Sequence, residues 1–468
     1  MFFGRVSAEE NESCDERRHL REYDFLYDAR TTTSVQEMRR SLLESCFPGG
    51  GVGSACLSLL TTAVTPSMLA LPLAFSVAGL SFAIACTIFC IIVTIISVRI
   101  LAHASASAAS DDYESVAGFF FGAKGRWLAR SILLLYNFGS SVVYLCFLND
   151  VVRNIVTVKG SFLPTWLQGN VGSILALILF VACVTPLTFN SRLASLRTMG
   201  FASNIMTTLI VSSIVYRFFV PLAPRGEPGL PMQAEVKETH RGVARWELIL
   251  PYMFTVSIFV FSYEVQSNVM DVIKDLDDRT SESLLVCICL ALAMATALYL
   301  PLGIFGSLSF PHMTRGYILD LYDIRQDDLM FFCQVFCCFS AATSYVFCIF
   351  PCRFAVFMFL SDGTTSRVSK RSRVRIGIAL AIIGAGCAIL LPDVSKVVAL
   401  LGALFSSTLS MTLPALFALK MRWSRTYLTS ALDGFLAWAL LLLGVLLSLG
   451  GSLVAVMDAL GLVDLLRA

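Results

Sequence analysis

Long apolar runs separated by short polar segments dominate this chain of 468 residues. A run of about 20 apolar residues is long enough to cross a bilayer as a helix. We predict eleven such spans, with ten or twelve as the alternatives, because the ninth run is the shortest. The pattern therefore predicts an all-α polytopic membrane protein. The runs lie at about residues 54–77, 80–98, 129–149, 171–189, 198–219, 247–271, 283–309, 328–352, 376–391, 395–419 and 428–457.

The first and sixth runs are interrupted near their middle. In the first run, serines and threonines surround Pro66, which removes a helical hydrogen bond and clashes with the preceding turn. In the sixth run, Ser262, Tyr263 and Glu264 form the polar interruption. Paired broken helices at matching positions predict a transporter built from inverted repeats, with its site near the membrane midplane. A simple kink at Pro66 is the alternative for the first run taken alone.

The charge distribution predicts the orientation of the chain. With the N-terminus in the cytoplasm, the inner segments hold 24 of the 35 Lys and Arg residues and the outer segments hold 11. This excess favours a cytoplasmic N-terminus. We therefore predict a cytoplasmic tail at 1–48, a core at 49–425 with repeats at about 50–220 and 246–422, and an eleventh helix with the C-terminal end at 426–468. The plasma membrane is our first expectation and an acidic organelle membrane the second.

Composition excludes several classes of function. The chain is 56% hydrophobic and 15% charged, whereas soluble domains carry roughly 25% charged residues. The net charge of +2 gives no sign of nucleic-acid binding. The sequence has no phosphate-binding loop and no nucleophile–base set, so we expect neither an enzyme nor a cofactor. We interpret the fifteen cysteines as small apolar packing residues.

Glu264 is the residue that most favours a transport function. A carboxylate at bilayer depth costs roughly 2.5–3.5 kcal/mol on insertion scales, so its retention suggests a cavity that binds or carries something. The alternative is a neutral glutamic acid that is hydrogen-bonded inside a helix bundle. As a functional group, Glu264 is either a proton carrier or a fixed anion that pairs with a Lys or Arg side chain of a substrate. We favour the proton carrier.

Five segments resemble the amino acid/auxin permease family in their order and spacing. Ser67 to Leu80 is similar to the family's "G-S-G-I-L-x-L-P-x-A-F-x-x-A-G-L", and Phe261 to Leu276 is similar to its "F-x-Y-x-x-H-x-x-V-L-P-x-x-x-E-L". The other three segments are Leu298 to Phe310, Ile349 to Arg353 with its "F-P-x-R", and Leu391 to Pro414. The similarity covers about residues 50–425, and the serine-, phenylalanine- and cysteine-rich texture resembles kinetoplastid members.

The resemblance implies a LeuT-type fold of five plus five inverted helices, with helices 1 and 6 broken. It also implies secondary transport of amino acids, coupled to protons in many members and to sodium in some. Three features depart from the family pattern. The small break in helix 1 is Thr65-Pro66-Ser67, the frequent histidine of helix 6 is Gln266, and Glu264 adds a carboxylate.

The broken helices predict how an amino acid binds. Amides at the start of a second half-helix suit the substrate carboxylate, and carbonyls at the end of a first half-helix suit its ammonium. The alternatives are back-bonding of each hydroxyl to its own helix and simple packing of each aromatic ring. The predicted substrate-binding residues are Thr61, Thr62, Thr65, Ser67, Met68, Phe261, Ser262, Tyr263, Glu264 and Tyr144.

Family members that use sodium imply a second, less favoured ion site. It combines the carbonyl of Val64 with the hydroxyls of Thr343 and Ser344. Packing between helices is the alternative for these hydroxyls.

We therefore expect a secondary transporter of amino acids that works by alternating access and is coupled to protons. The alternatives are a sodium-coupled carrier, a membrane sensor that binds amino acids and signals through its N-terminal tail without net flux, and a channel. A lone mid-membrane carboxylate argues against the channel, because a ring-type filter needs several. The expected partners are an amino acid, a proton in preference to sodium, and the lipid bilayer, with no nucleic acid.

Overall fold

Every regular element in the described part of the chain is helical. The structure is a computed structural model, and it describes residues 51–159, 170–189, 197–221, 249–276, 281–311, 313, 317–360, 370–391, 394–423 and 431–459. The predicted tail 1–48 lies outside these residues. So do most of the predicted outer loop 217–245 and residues 460–468 of the predicted C-terminal segment.

The helices follow the predicted apolar runs, and described helical segments lie within all eleven. They are α1 (Val52–Ala63), α2 (Leu71–Ala78), α3 (Leu80–Ala108), α4 (Tyr113–Lys159), α5 (Asn170–Thr188), α6 (Arg197–Phe219), α7 (Leu250–Ser262), α8 (Gln266–Asp275), α9 (Ser281–Ser309), α10 (Asp328–Leu360), α11 (Lys370–Leu390), α12 (Val394–Leu401), α13 (Leu413–Trp423), α14 (Ala431–Leu446) and α15 (Ser452–Ala459).

Seven described helices are long and apolar enough to cross a membrane by length and composition, and the bent pair α1–α2 makes an eighth. Two shorter apolar helices, Ile174–Thr188 and Val374–Leu390, lie in the fourth and ninth runs. The chain is therefore a multi-pass membrane protein. The count of eleven spans stays a prediction.

The first run bends where the sequence places its proline. Helix α1 ends at Ala63, Thr65 is extended with φ −119° and ψ 163°, and a short 3-10 turn spans Pro66–Ala70 before α2. The two halves meet at an angle of 47°. A tight corner at Gly79, with φ 82°, then joins α2 to α3. Positive φ favours glycine, which lacks the Cβ that clashes in this conformation.

The sixth run is interrupted without a proline at its break. Helix α7 ends at Ser262, and Tyr263 to Val265 leave helical geometry before α8 begins at Gln266. Helix α9 packs on α1 and α2, while α7 packs on α2 and α12. Helix α10 packs along α4 and α6. The two helix breaks therefore lie inside the bundle, where neighbouring helices can contribute side chains to them.

The tenth run is one helix with two wider segments. Between α12 and α13, residues Gly402–Ser406 and Thr408–Thr412 have π-type hydrogen bonding. Here Gly402 approaches α7 so closely that an added Cβ would lie 1.9 Å from the carbonyl oxygen of Ser257. This contact joins the tenth run to the half-helix that ends at the sixth-run break.

We predict that Gly402→Ala lowers the thermal stability of the detergent-solubilised protein, because the backbone of α7 must move to admit the methyl group. Overpacking of this kind costs roughly 1–3 kcal/mol. The measurement is the midpoint of thermal unfolding. Gly386→Ala in α11 is the matched control, since no atom lies within 4 Å of its added Cβ. Equal midpoints for the two variants would contradict the close approach.

Candidate functional site

The break in the first run is buried, and one of its backbone amides is hydrogen-bonded within the break. Thr65 and Ser67 are 6% and 2% exposed, and their hydroxyl oxygens lie 2.7 Å apart. The amide of Met68 donates to the carbonyl of Thr65 at 3.1 Å. The predicted role of the Met68 amide as a donor to the substrate carboxylate therefore does not fit this conformation. The hydroxyls of Thr65 and Ser67 are the polar groups that this break presents.

The hydroxyls of Thr61 and Thr62 form hydrogen bonds to the backbone of their own helix, and that of Thr61 also accepts one from a neighbouring helix. Thr62 donates to the carbonyl of Leu59 at 2.9 Å, and Thr61 donates to that of Leu57 at 2.9 Å. The side-chain amide of Asn204 in α6 also donates to the hydroxyl of Thr61 at 2.9 Å. Both hydroxyls thus take the back-bonding alternative, and that of Thr61 contacts α6.

The carbonyls at the two breaks accept hydrogen bonds from neighbouring helices. The hydroxyl of Tyr299 in α9 lies 2.6 Å from the carbonyl oxygen of Ala63 and 3.0 Å from that of Ser262. The hydroxyl of Thr94 in α3 donates to the carbonyl of Tyr263 at 3.3 Å. These hydroxyls are therefore the side-chain donors that the break carbonyls have in this conformation. The expected role of the carbonyls toward a substrate ammonium stays a prediction.

Ser262 and Tyr263 also direct their side chains into the protein. The hydroxyl of Ser262 donates to the carbonyl of Ile258 at 2.9 Å, and the hydroxyl of Tyr263 lies 3.0 Å from that of Thr296 in α9. The rings of Tyr263 and Tyr299 meet edge to face, with centroids 5.1 Å apart. The side chain of Tyr263 therefore packs and hydrogen-bonds against α9, whereas the hydroxyl of Ser262 bonds within α7.

Glu264 accepts hydrogen bonds at the start of α8. The amide of Ser267 donates to one carboxylate oxygen at 2.7 Å, and the hydroxyl of Ser267 donates to the other at 2.9 Å. The hydroxyl of Tyr136 in α4 lies close to the same carboxylate. The side chain is 3% exposed, and no ion pair to it occurs among the described residues. A carboxylate at a helix N-terminus is stabilised by the amides and the dipole there.

Helices α4 and α10 place side chains beside the two breaks. Tyr136 lies 6.1 Å from Phe261, ring centroid to ring centroid, and Tyr144 lies beside the side chain of Thr65. Cys348 in α10 lies near both Tyr144 and Glu264. The structure thus brings together Thr65, Phe261, Glu264 and Tyr144 from the predicted set. Tyr136, Tyr299, Thr94 and Ser267 were not in that set.

The predicted sodium residues are buried but are not joined by any described contact. Val64 is 1% exposed, Thr343 1% and Ser344 6%. The hydroxyl of Thr343 donates to the carbonyl of Phe339 at 2.9 Å, which is back-bonding within α10. Helix α10 does contact the Pro66–Ala70 turn. The sodium site stays a prediction.

Comparisons with known proteins agree with this architecture. A family model described as "Transmembrane amino acid transporter protein" matches residues 48–457. The chain is 24% identical to "Vacuolar amino acid transporter 5" of Schizosaccharomyces pombe, over 78% of this chain and 83% of the relative. It is 25% identical to "Amino acid transporter AVT6E" of Arabidopsis thaliana, over 86% of this chain and 83% of the relative.

Two further comparisons concern coupling and fold. The chain is 22% identical to "Putative sodium-coupled neutral amino acid transporter 10" of Xenopus laevis, over 78% of this chain and 34% of that protein. The crystal structure of MhsT in complex with L-phenylalanine matches 86% of this chain and 98% of MhsT, with a TM-score of 0.55 and 12% identity. At that identity the match shows the fold alone, which is the LeuT type that the sequence predicted.

We predict that Glu264→Ala lowers the thermal unfolding midpoint more than Glu264→Gln does. Loss of a capping side chain costs roughly 0.5–2 kcal/mol, whereas glutamine keeps an oxygen that accepts from the amide of Ser267. Ser212→Ala serves as the control, because it removes a hydroxyl bond at an exposed position of α6. If alanine and glutamine at position 264 left the midpoint equally unchanged, the capping role would be wrong.

Proposed function

Because the chain belongs to the transmembrane amino acid transporter family, we propose that it is a secondary active transporter coupled to protons, with Glu264 as the coupling group. The observation that carries this proposal is the position of Glu264. It is a buried carboxylate at the break of the sixth run, and its partners come from two different elements, α8 and α4.

A proton on Glu264 changes the contacts between these elements. The ionised carboxylate accepts hydrogen bonds from the Ser267 amide and the Ser267 hydroxyl, and in our proposal also from the neighbouring Tyr136 hydroxyl. Hydrogen bonds to a charged group are roughly twice as strong as neutral ones. Protonation therefore weakens the attachment of α8 to α4. A proton that enters the site can in this way favour a movement of α8 relative to α4.

The same carboxylate is our proposed partner for the substrate ammonium. The carbonyls of Ala63, Ser262 and Tyr263 are neutral and already accept hydroxyl hydrogens, whereas Glu264 can offer a negative charge to the ammonium. Thr65, Ser67 and Tyr144 are the proposed donors to the substrate carboxylate, and Met68 and Phe261 supply apolar surface around it. In this arrangement a substrate and a proton compete for, or share, one acidic group.

Ion pairs at the two ends of the bundle support alternating access. Arg217 at the end of α6 lies 2.7 Å from Asp327, just before α10. Lys274 in the last turn of α8 lies 2.5 Å from Asp112, just before α4. Lys274 comes just before the start of α9 in the chain, and Asp327 comes after its end. The 29 residues of α9 span about 43 Å, so the two pairs lie toward opposite ends of this helix. A cycle in which one pair opens while the other stays closed would give access from one side at a time.

The membrane in which the protein acts is a separate proposal. The plasma membrane is our first expectation, and an acidic organelle membrane is the second. The name of the S. pombe relative, a vacuolar transporter, adds support to the second. In either membrane, the proton gradient points toward the cytosol and would drive amino acids into it.

We predict that an inward proton gradient accelerates uptake of a labelled amino acid into proteoliposomes by the wild type and not by Glu264→Gln. The amide cannot take up and release a proton, so the gradient has no group to act on. The measurement is initial uptake of each member of a labelled amino-acid panel, with and without the gradient.

The control is the same assay with an inward sodium gradient at equal pH on both sides. Gradient-driven uptake that survives in Glu264→Gln would move proton coupling to another residue. Uptake driven by sodium and not by protons would favour the sodium-coupled carrier, to which the name of the Xenopus relative gives some support. Saturable binding without flux under both gradients would favour the sensor.

A further inference from the structure

We infer that the hydroxyl of Tyr299 takes the place of a monovalent cation between the two broken helices, and so makes the carrier independent of sodium at this position. The inference rests on the proposed function, because it concerns the choice of coupling ion. Nothing in the sequence motifs assigned a role to Tyr299, which lies in the largely apolar seventh run.

Two half-helices end at this hydroxyl. Helix α1 ends at Ala63 and α7 ends at Ser262, and the oxygen of Tyr299 lies 2.6 Å and 3.0 Å from their last carbonyl oxygens. Tyr299 is 1% exposed. A hydroxyl has a single hydrogen, so it donates to one of these carbonyls at a time. Three oxygen atoms therefore converge around one proton at the centre of the bundle.

Electrostatics explains why something positive must lie here. The C-terminal end of each helix carries roughly half a negative charge, and the ends of α1 and α7 meet at this point. Inside a membrane protein, carbonyls freed at helix breaks need partners. Ends of half-helices and unwound carbonyls are the groups that coordinate small cations in transporters. The hydrogen of Tyr299 lies between the same carbonyls in place of a cation, and the amide of Thr65 also donates to the carbonyl of Ala63 at 3.0 Å.

The hydroxyl is held in this position by its neighbours. The ring of Tyr299 meets that of Tyr263 edge to face at 5.1 Å and 89°. The hydroxyl of Tyr263 is fixed in turn by Thr296, one turn before Tyr299 on the same helix, at 3.0 Å. Thr94 from α3 covers the next carbonyl of the break. Donors that belong to the protein thus reach all three break carbonyls.

Removal of the hydroxyl should make the stability of the protein depend on a bound cation. In Tyr299→Phe, the carbonyls of Ala63 and Ser262 still converge, but no hydrogen lies between them. Sodium or lithium, which bind oxygen ligands, can then enter and join the two half-helices. The wild type should show no such dependence, because its hydroxyl already occupies the point of convergence.

The experiment is thermal unfolding of the purified full-length protein in sodium, lithium, potassium or N-methyl-D-glucamine chloride at constant ionic strength. We expect the wild-type midpoint to be the same in all four salts. We expect Tyr299→Phe to unfold several degrees lower in N-methyl-D-glucamine, with saturable recovery in sodium or lithium. Tyr113→Phe is the matched control, since Tyr113 is a buried tyrosine whose hydroxyl donates to the carbonyl of Leu409, outside both breaks. It should show no dependence on the cation.

Two results would overturn the inference. One is a Tyr299→Phe protein whose midpoint is independent of the cation. The other is a wild type that sodium stabilises saturably, and equally so in Ser344→Ala, which lacks a hydroxyl of the separately predicted sodium site. This measurement stands even if Tyr299→Phe cannot be purified. Both results are unfolding midpoints and do not depend on flux. An absence of uptake would therefore contradict the proposed transport function without testing the role of Tyr299. Where uptake is seen, sodium should restore it in Tyr299→Phe and leave the wild type unchanged.

Discussion

The hydrogen bonds at the two helix breaks are the constraint on which the rest of this structure depends. A broken helix inside a membrane exposes carbonyls that water cannot reach, and each one left without a partner costs several kcal/mol. Tyr299 and Thr94 meet this requirement at Ala63, Ser262 and Tyr263. Because these donors stand on α9 and α3, the breaks exist only while those helices are packed in place.

The same requirement explains the position of Glu264. Helix α8 begins with amides that lack partners within the helix, and the carboxylate lies close enough to accept from Ser267. The group that the sequence marks as an unusual charge in the membrane is therefore also the cap of a half-helix. The hydroxyl of Tyr136 in α4 lies close to the same carboxylate. Capping and coupling are compatible, since a cap that depends on charge changes strength when a proton binds.

The sequence was sufficient to predict the helices and the break at Pro66, but it was insufficient to predict the side-chain contacts at the site. Apolar runs reported the helices because bilayer thickness imposes their length, and Pro66 marked one break because it cannot join a helical ladder. Tyr299 was missed because its two acceptors lie 236 and 37 residues away in the chain, and periodicity carries no information on such pairs. Its one signal was a hydroxyl inside an apolar run, which must find a partner when buried. The role given to Met68 did not fit because the tight turn after Pro66 uses its amide locally.

The most direct test is an experimental structure of the full-length protein in lipid nanodiscs, prepared in sodium-free buffer, at a resolution that places the Tyr299 hydroxyl. Our account predicts that this oxygen lies within about 3.2 Å of the carbonyl oxygens of both Ala63 and Ser262, the range of ordinary hydrogen bonds. A hydroxyl turned away from the breaks would contradict it. So would an ordered water or ion that separates the two carbonyls from Tyr299.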